Sequence, residues 1–150
     1  MKRLVVGCGY LGRRVARRWL EKGDTVFAVT RDPARADEFE QDGIIPLIAN
    51  IHDLSTLAML PETDTVLYAV GFDRTGDQLI GDVFVGGLGN LLTRLPASPG
   101  RFIYISSTGV YGQKEGEWVD EESPCQPVRE GGQACLDAEN LLLQEASMLE

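Results

Sequence analysis

One hexapeptide limits what this chain can fold into: Gly7-Cys8-Gly9-Tyr10-Leu11-Gly12. It follows a short apolar run over residues 2–6 and opens a segment, residues 11–22, whose helical spacing puts Leu11, Val15, Trp19 and Leu20 on one face. Between a strand and a helix, the three glycines of G-x-G-x-x-G have separate physical tasks. Gly7 lets the backbone turn out of the strand, Gly9 removes the side chain where a diphosphate must approach, and Gly12 lets the helix pack close to the sheet. Tyr10 and Leu11 start the helix, whose unpaired N–H groups and dipole then face the anion. A nicotinamide dinucleotide is the ligand expected of such a turn.

The rest of the sequence keeps alternating. Residues 25–29 read as a second strand after Gly23, a natural helix stop. Asp32-Pro33 then reads as an N-cap with proline at the first helical position, opening a short helix to about Phe39. Further strands are expected over 44–48, 65–69 and 101–105, with a short helix over 54–60, a helix over 78–95 and a last helix over 132–148. Strands and helices at this spacing predict right-handed crossovers and a doubly wound parallel sheet, an α/β fold of Rossmann type. Residues 1–150 are expected to form a single nucleotide-binding domain, with 43% hydrophobic residues to build its core. A sixth strand and a substrate region would follow in a complete fold of this type, so the sequence reads as ending after the fifth strand and its helix.

The adenosine ribose is expected at the end of the second strand, where an acid usually holds the 2′-hydroxyl of NAD. Here that strand runs into Thr30-Arg31, and an arginine suits a 2′-phosphate through charge-assisted hydrogen bonds. NADP is therefore favoured, with NAD as the alternative should Asp32 act as the acid. Val70-Gly71 after the fourth strand and Ser106-Ser107-Thr108 after the fifth stand where parallel sheets bind ligands. Arg13, Arg14, Arg17 and Arg18 follow the glycine motif, with Arg31 and Arg35 further on, a distribution that suits a small anionic ligand.

A net charge of −9 without a basic stripe excludes nucleic acid as a partner. No apolar run reaches the length of a membrane span and none resembles a signal peptide, so no membrane partner and a cytoplasmic location are expected. Cys8, Cys125 and Cys135 form neither a disulfide framework nor a zinc site, and no metal is expected. His52, the only histidine, reads as a loop residue, and Asp120-Glu121-Glu122 as solvated acids. Gly81, Gly86, Gly87 and Gly89 weaken the helix expected over 78–95, so either close packing recovers the cost or the segment around Gly86 is partly unwound.

The stretch from Phe102 to Gly112, FIYISSTGVYG, resembles the fifth-strand motif of the extended short-chain dehydrogenase/reductases, the NAD-dependent epimerase/dehydratase group. With the glycine motif, the resemblance covers essentially the whole chain. It implies that Ser107, four residues before Tyr111, polarises a substrate carbonyl or hydroxyl, and that Ser106 lies beside the cofactor. Glu121-Glu122-Ser123-Pro124, Pro127 and Ala138-Glu139 also resemble the family, where they lead into a catalytic Tyr-x-x-x-Lys. At that place this chain has Gly131 and Cys135, so the phenol and the ammonium that tunes it cannot be carried over.

Two readings follow. One is an NAD(P)-dependent oxidoreductase or epimerase-like protein acting on a nucleotide-sugar-like or other small hydroxyl or carbonyl substrate, a class that the resemblance implies. The other is a dinucleotide-binding module without turnover. Ala134, Ala138, Leu141, Leu142, Leu143, Met148 and Leu149 give the last helix a wide apolar face, which leads to the expectation of a homodimer.

Overall fold

The computed structural model describes residues 1–147. Five parallel strands form one sheet: β1 (Lys2–Val6), β2 (Thr25–Thr30), β3 (Ile45–Ile48), β4 (Thr65–Tyr68) and β5 (Arg101–Tyr104). Their order in space is β3-β2-β1-β4-β5. The chain therefore winds outward from β1 in one direction, then returns to the other side of β1 and winds outward again. Helices α1 (Tyr10–Glu21), α2 (Pro33–Gln41) and α3 (Gly87–Arg94) lie in crossovers, α4 (Glu130–Ser147) follows β5, and all four flank the sheet.

The central strands are apolar on both faces because both faces are covered. Side chains alternate across β1, so Leu4 and Val6 pack on one side with Tyr68, Leu88, Leu91 and Ala138. Val5 faces the other side, with Ala16, Ala28, Phe39 and Leu67. Helices α3 and α4 thus cover one face, and α1 and α2 the other.

The structure revises the expected face of α1. Leu11 is 43% exposed, and the buried stripe is Gly12 and Ala16, flanked by partly buried Val15, Trp19 and Leu20. Small side chains bring the helix axis close to the sheet, and Leu11 is rolled outward as a result. The arginine cluster is likewise not gathered around an anion. Arg13 binds Glu38 at 2.9 Å and Asp42 at 2.6 Å, Arg17 binds Asp42 at 3.2 Å, and Arg18 pairs with Glu21. Arg14 stacks on the Tyr10 ring at 3.8 Å. The first two tie α1 to α2, and their hydrogen bonds hold the Asp42 carboxyl below its usual range.

The segment over 78–95 is both unwound and tightly packed. Residues Asp82–Gly86 form a π-turn that leads into α3. A Cβ on Gly87 would lie 2.6 Å from Ile51 Cδ1 and 3.1 Å from Tyr68 Oη, so a larger residue there would make Ile51 shift. Tyr68 Oη donates to the Val83 carbonyl at 3.3 Å, a partner for one group in the widened turn.

On α4, Ala134 and Ala138 are buried and Leu141 and Leu142 pack against the core, whereas Leu143 is 68% exposed. Met148 and Leu149 lie outside the described residues. Among the described residues β5 pairs only with β4, and its outer edge has no strand beside it.

Candidate cofactor site

The winding direction reverses between β1 and β4, which places a crevice at their C-terminal ends. Gly7 leaves β1 with φ +89°, in the region that favours glycine. A Cβ there would lie 2.4 Å from the Ala69 carbonyl and 2.5 Å from Val70 N, so the turn rests directly on the backbone that leaves β4. Gly9 N donates to Gly7 O at 2.9 Å and closes the turn. Gly12 sits under it: a Cβ would meet Gly7 O at 2.5 Å and Val5 Cγ1 at 3.0 Å.

Gly9 differs from both. A Cβ built on it has nothing within 4 Å, and its open side belongs to a cavity of about 490 Å³, a volume typical of small-molecule sites. No side chain caps α1 and its first turn carries no acid, so the helix start presents its N–H groups and positive dipole end without a side-chain carboxylate of its own. Tyr10, 79% exposed, and Leu11 supply backbone at this end while their side chains point away from the core. These features fit a diphosphate: a cradle without a side chain, and donors with no competing carboxylate.

The cavity extends past Gly7 and Gly9 to Thr30 and Arg31 on one side and Val70 and Gly71 on the other. Thr30 is buried, and its hydroxyl accepts from Asp32 N at 3.1 Å. The Asp32 carboxylate accepts from Ala34 N at 2.9 Å, so it serves as the N-cap of α2. Arg31 makes no hydrogen bond or ion pair among the described residues and lines the cavity. Gly71 has open space where a Cβ would stand.

Two wall residues gain a definite place here, Arg35, read in the sequence only as one of the arginines suited to an anion, and His52, read as a loop residue. Arg35 lines the wall and reaches the glycine turn, donating to the Cys8 carbonyl at 3.3 Å. His52 lies in a loop, as expected, but that loop forms part of the wall. Their signal is tertiary: Thr30 pairs with Ile48, which brings the chain after β3 alongside the chain after β2. Cys8 belongs to the core, and burial pushes its thiol up to about 11.

The serines after β5 do not line this cavity. Ser107 Oγ accepts from Gly109 N at 3.1 Å and caps the short turn Thr108–Val110, while Ser106 Oγ donates to the Glu139 carboxylate on α4. Both serines are exposed at the C-terminal end of the sheet. Gly131 and Cys135 occupy successive turns of α4. A Cβ at Gly131 would meet Ile80 Cδ1 at 3.2 Å, and Cys135 is buried, which pushes its thiol up. Tyr111 Oη donates to the Asp120 carbonyl at 3.0 Å and is committed to its own loop.

A reversed parallel sheet with a bare glycine turn and an uncapped helix at its switch point defines a dinucleotide-binding α/β domain. The NAD dependent epimerase/dehydratase family model matches residues 3–141, and the chain belongs to that family. Among solved structures, an NAD-dependent epimerase/dehydratase from Methylobacillus flagellatus, described as putative, is 33% identical with a TM-score of 0.73 over 94% of this chain. A short-chain dehydrogenase/reductase superfamily protein from Agrobacterium tumefaciens, solved with bound NAD, is 25% identical with a TM-score of 0.77 over 95% of the chain. UDP-glucose-4-epimerase from Stenotrophomonas maltophila, solved with NAD and formylated UDP-arabinopyranose, shares the fold at 24% identity, with a TM-score of 0.79 over the whole chain. This chain spans 50%, 44% and 50% of those three proteins respectively. No functionally curated protein matches it. No helix among the described residues is long and apolar enough to cross a membrane.

Gly9 and Gly12 should separate binding from folding. Gly9→Val projects into open cavity, so dinucleotide binding should be lost in calorimetry while the unfolding midpoint stays near wild type. Gly12→Ala drives a methyl into the Gly7 carbonyl and should cost about 1–3 kcal/mol in urea unfolding. A Gly9→Val protein that binds cofactor normally would contradict the assignment of the turn.

Proposed function

We propose that this chain is the nucleotide-binding part of an NADP(H)-using oxidoreductase or epimerase-like protein, acting on a nucleotide-sugar-like or other small hydroxyl or carbonyl compound. The observation that carries the reading is the open face of Gly9 at the switch point, in one cavity with Arg31. In this proposal Gly7, Gly9, Gly12 and the backbone of Tyr10 and Leu11 hold the diphosphate, and Thr30 and Arg31 hold the adenosine ribose with its 2′-phosphate. Val70 and Gly71 give the cofactor a smooth floor, and Ser106 lies near its far end. Ser107 orients the substrate oxygen. When bound, the dinucleotide supplies a hydride donor or acceptor. The relatives solved with NAD support a nicotinamide dinucleotide, and Arg31 beside the spent carboxylate of Asp32 favours the phosphorylated form.

Gly131 and Cys135 support a second reading, a dinucleotide-binding module without turnover, because neither supplies a proton relay at the family's position. General acid/base assistance is worth about 10²–10⁴ in rate, so purified chain should show no robust turnover of alcohols, ketones or nucleotide sugars. Activity that disappears on Ser107→Ala would reject this reading and show that another group moves the proton.

Cofactor choice has its own measurement. Arg31→Ala should weaken NADP⁺ by about 1–3 kcal/mol in calorimetry and leave NAD⁺ nearly unchanged. Equal losses for both cofactors would remove the NADP assignment.

The proposal also includes a homodimer through α3 and α4, motivated by Leu143, the large apolar side chain that α4 exposes among the described residues. Light scattering coupled to size exclusion should return twice the chain mass at micromolar concentration. A clean monomer would remove the dimer.

A further inference from the structure

The end of the cavity beside Arg31 contains an imidazole that makes no hydrogen bond among the described residues. Strands β2 and β3 run parallel, and Ala49 N donates to Thr30 O at 2.9 Å, so the segments leaving the two strands emerge side by side. The loop after β3 is fixed by its own polar groups. Asn50 N donates to Thr56 Oγ1 at 2.9 Å, Asn50 Oδ1 accepts from His52 N at 3.1 Å, and Asn90 Nδ2 on α3 donates to the Ile51 carbonyl at 2.9 Å. These bonds hold the backbone of His52 and leave its ring without a hydrogen bond among the described residues. The ring is half-buried and lines the same cavity as Arg31.

We propose that His52 is a second recognition group for the 2′-phosphate of NADP(H), acting with Arg31 as an imidazolium that selects the phosphorylated dinucleotide over NAD(H). This rests on the NADP(H) reading above and names the residue that completes it.

The surrounding charges define how such a group behaves. Burial first, then the Arg31 guanidinium, hold the imidazole below its ordinary value of 6.5, and Asp82 at the π-turn opposes them. Arg35, Asp73 and Asp77 line the same cavity, and Asp73 also lies within the field of Arg31. Without an anion at this end, His52 is neutral at pH 7 and adds nothing to NAD(H). A phosphate monoester carries a charge of about −1.5 to −2 at pH 7 and favours the charged ring. Binding NADP(H) then takes up a proton, because the bound state has the higher pKa. The extra affinity is complete below the pKa of the cofactor-free protein and is lost as pH rises through that of the complex.

Because the chain has a single histidine, its imidazole C–H resonance is assigned without mutagenesis. Titrating the whole chain by NMR, alone and saturated with NAD⁺ or NADP⁺, should raise the His52 midpoint by about one unit with NADP⁺ and leave it unmoved with NAD⁺. Calorimetry supplies an independent measurement. Between about pH 8 and pH 5.5, the affinity of wild type for NADP⁺ relative to His52→Gln should grow about tenfold, the equivalent of that shift, and the same ratio for NAD⁺ should stay flat. The 2′-phosphate's own ionisation near 6 cancels in the ratio. Equal midpoints with the two cofactors, or a flat NADP⁺ ratio, would overturn the role of His52, even where Arg31→Ala still abolishes NADP⁺ preference. Failure of the underlying reading looks different: Arg31→Ala would leave NADP⁺ binding intact, and both proposals would fall.

Discussion

The contact on which the site depends is between two pieces of main chain. At Gly7 the turn after β1 touches the carbonyl of Ala69 and the nitrogen of Val70, with no room for a Cβ. Gly12 then presses α1 against the far side of the same turn, on the Gly7 oxygen. Two glycines fix the height of α1 above the sheet, and that height decides where its N–H groups point. Gly9 lies between them and is the glycine left open. The three glycines of one motif therefore divide into two that make the structure and one that makes the site.

Charge is divided in a similar way. Most of the arginines after the motif are consumed by structure: Arg13 and Arg17 bridge α1 to α2, and Arg18 pairs along its own helix. These are surface pairs of small individual worth, but the two on Asp42 share an acid that caps the end of α2. Arg31 and Arg35 come from the next crossover and face the cavity. On a chain of net charge −9, Arg31 and Arg35 place local positive charge beside a bare helix start, opposite Asp73 and Asp77 in the same cavity.

The fold was legible in the sequence because its signals are local. Strand runs, the Asp32-Pro33 cap and the placement of the glycine motif all depend on neighbours within a few residues, and the observed elements follow them closely. The face of α1 was misread because hydrophobicity marked Leu11, whereas close approach to the sheet selected Gly12 and Ala16. The weak helix over 78–95 was legible only as a choice between packing and unwinding, and both occur, at adjacent glycines. Arg35 was legible only as one of the arginines suited to an anion, and His52 only as a loop residue. Their positions follow from the register of β3 on β2 and from hydrogen bonds reaching as far as Asn90, which no local pattern encodes.

The contact between Gly131 and Ile80 gives the departure from the family's Tyr-x-x-x-Lys a different meaning. Ile80 enters the helical run just ahead of the π-turn, and its Cδ1 would lie 3.2 Å from a Cβ at 131, a tight contact with the end of a flexible side chain. Cys135, one turn on, is buried beside Tyr104, and the Glu139 carboxylate on the following turn lies within its field. A side chain at 131 therefore needs the end of Ile80 to give way by a few tenths of an ångström, and a larger side chain at 135 enters a buried position. A reversal at 131 is thus coupled to Ile80, and the two positions are best changed together.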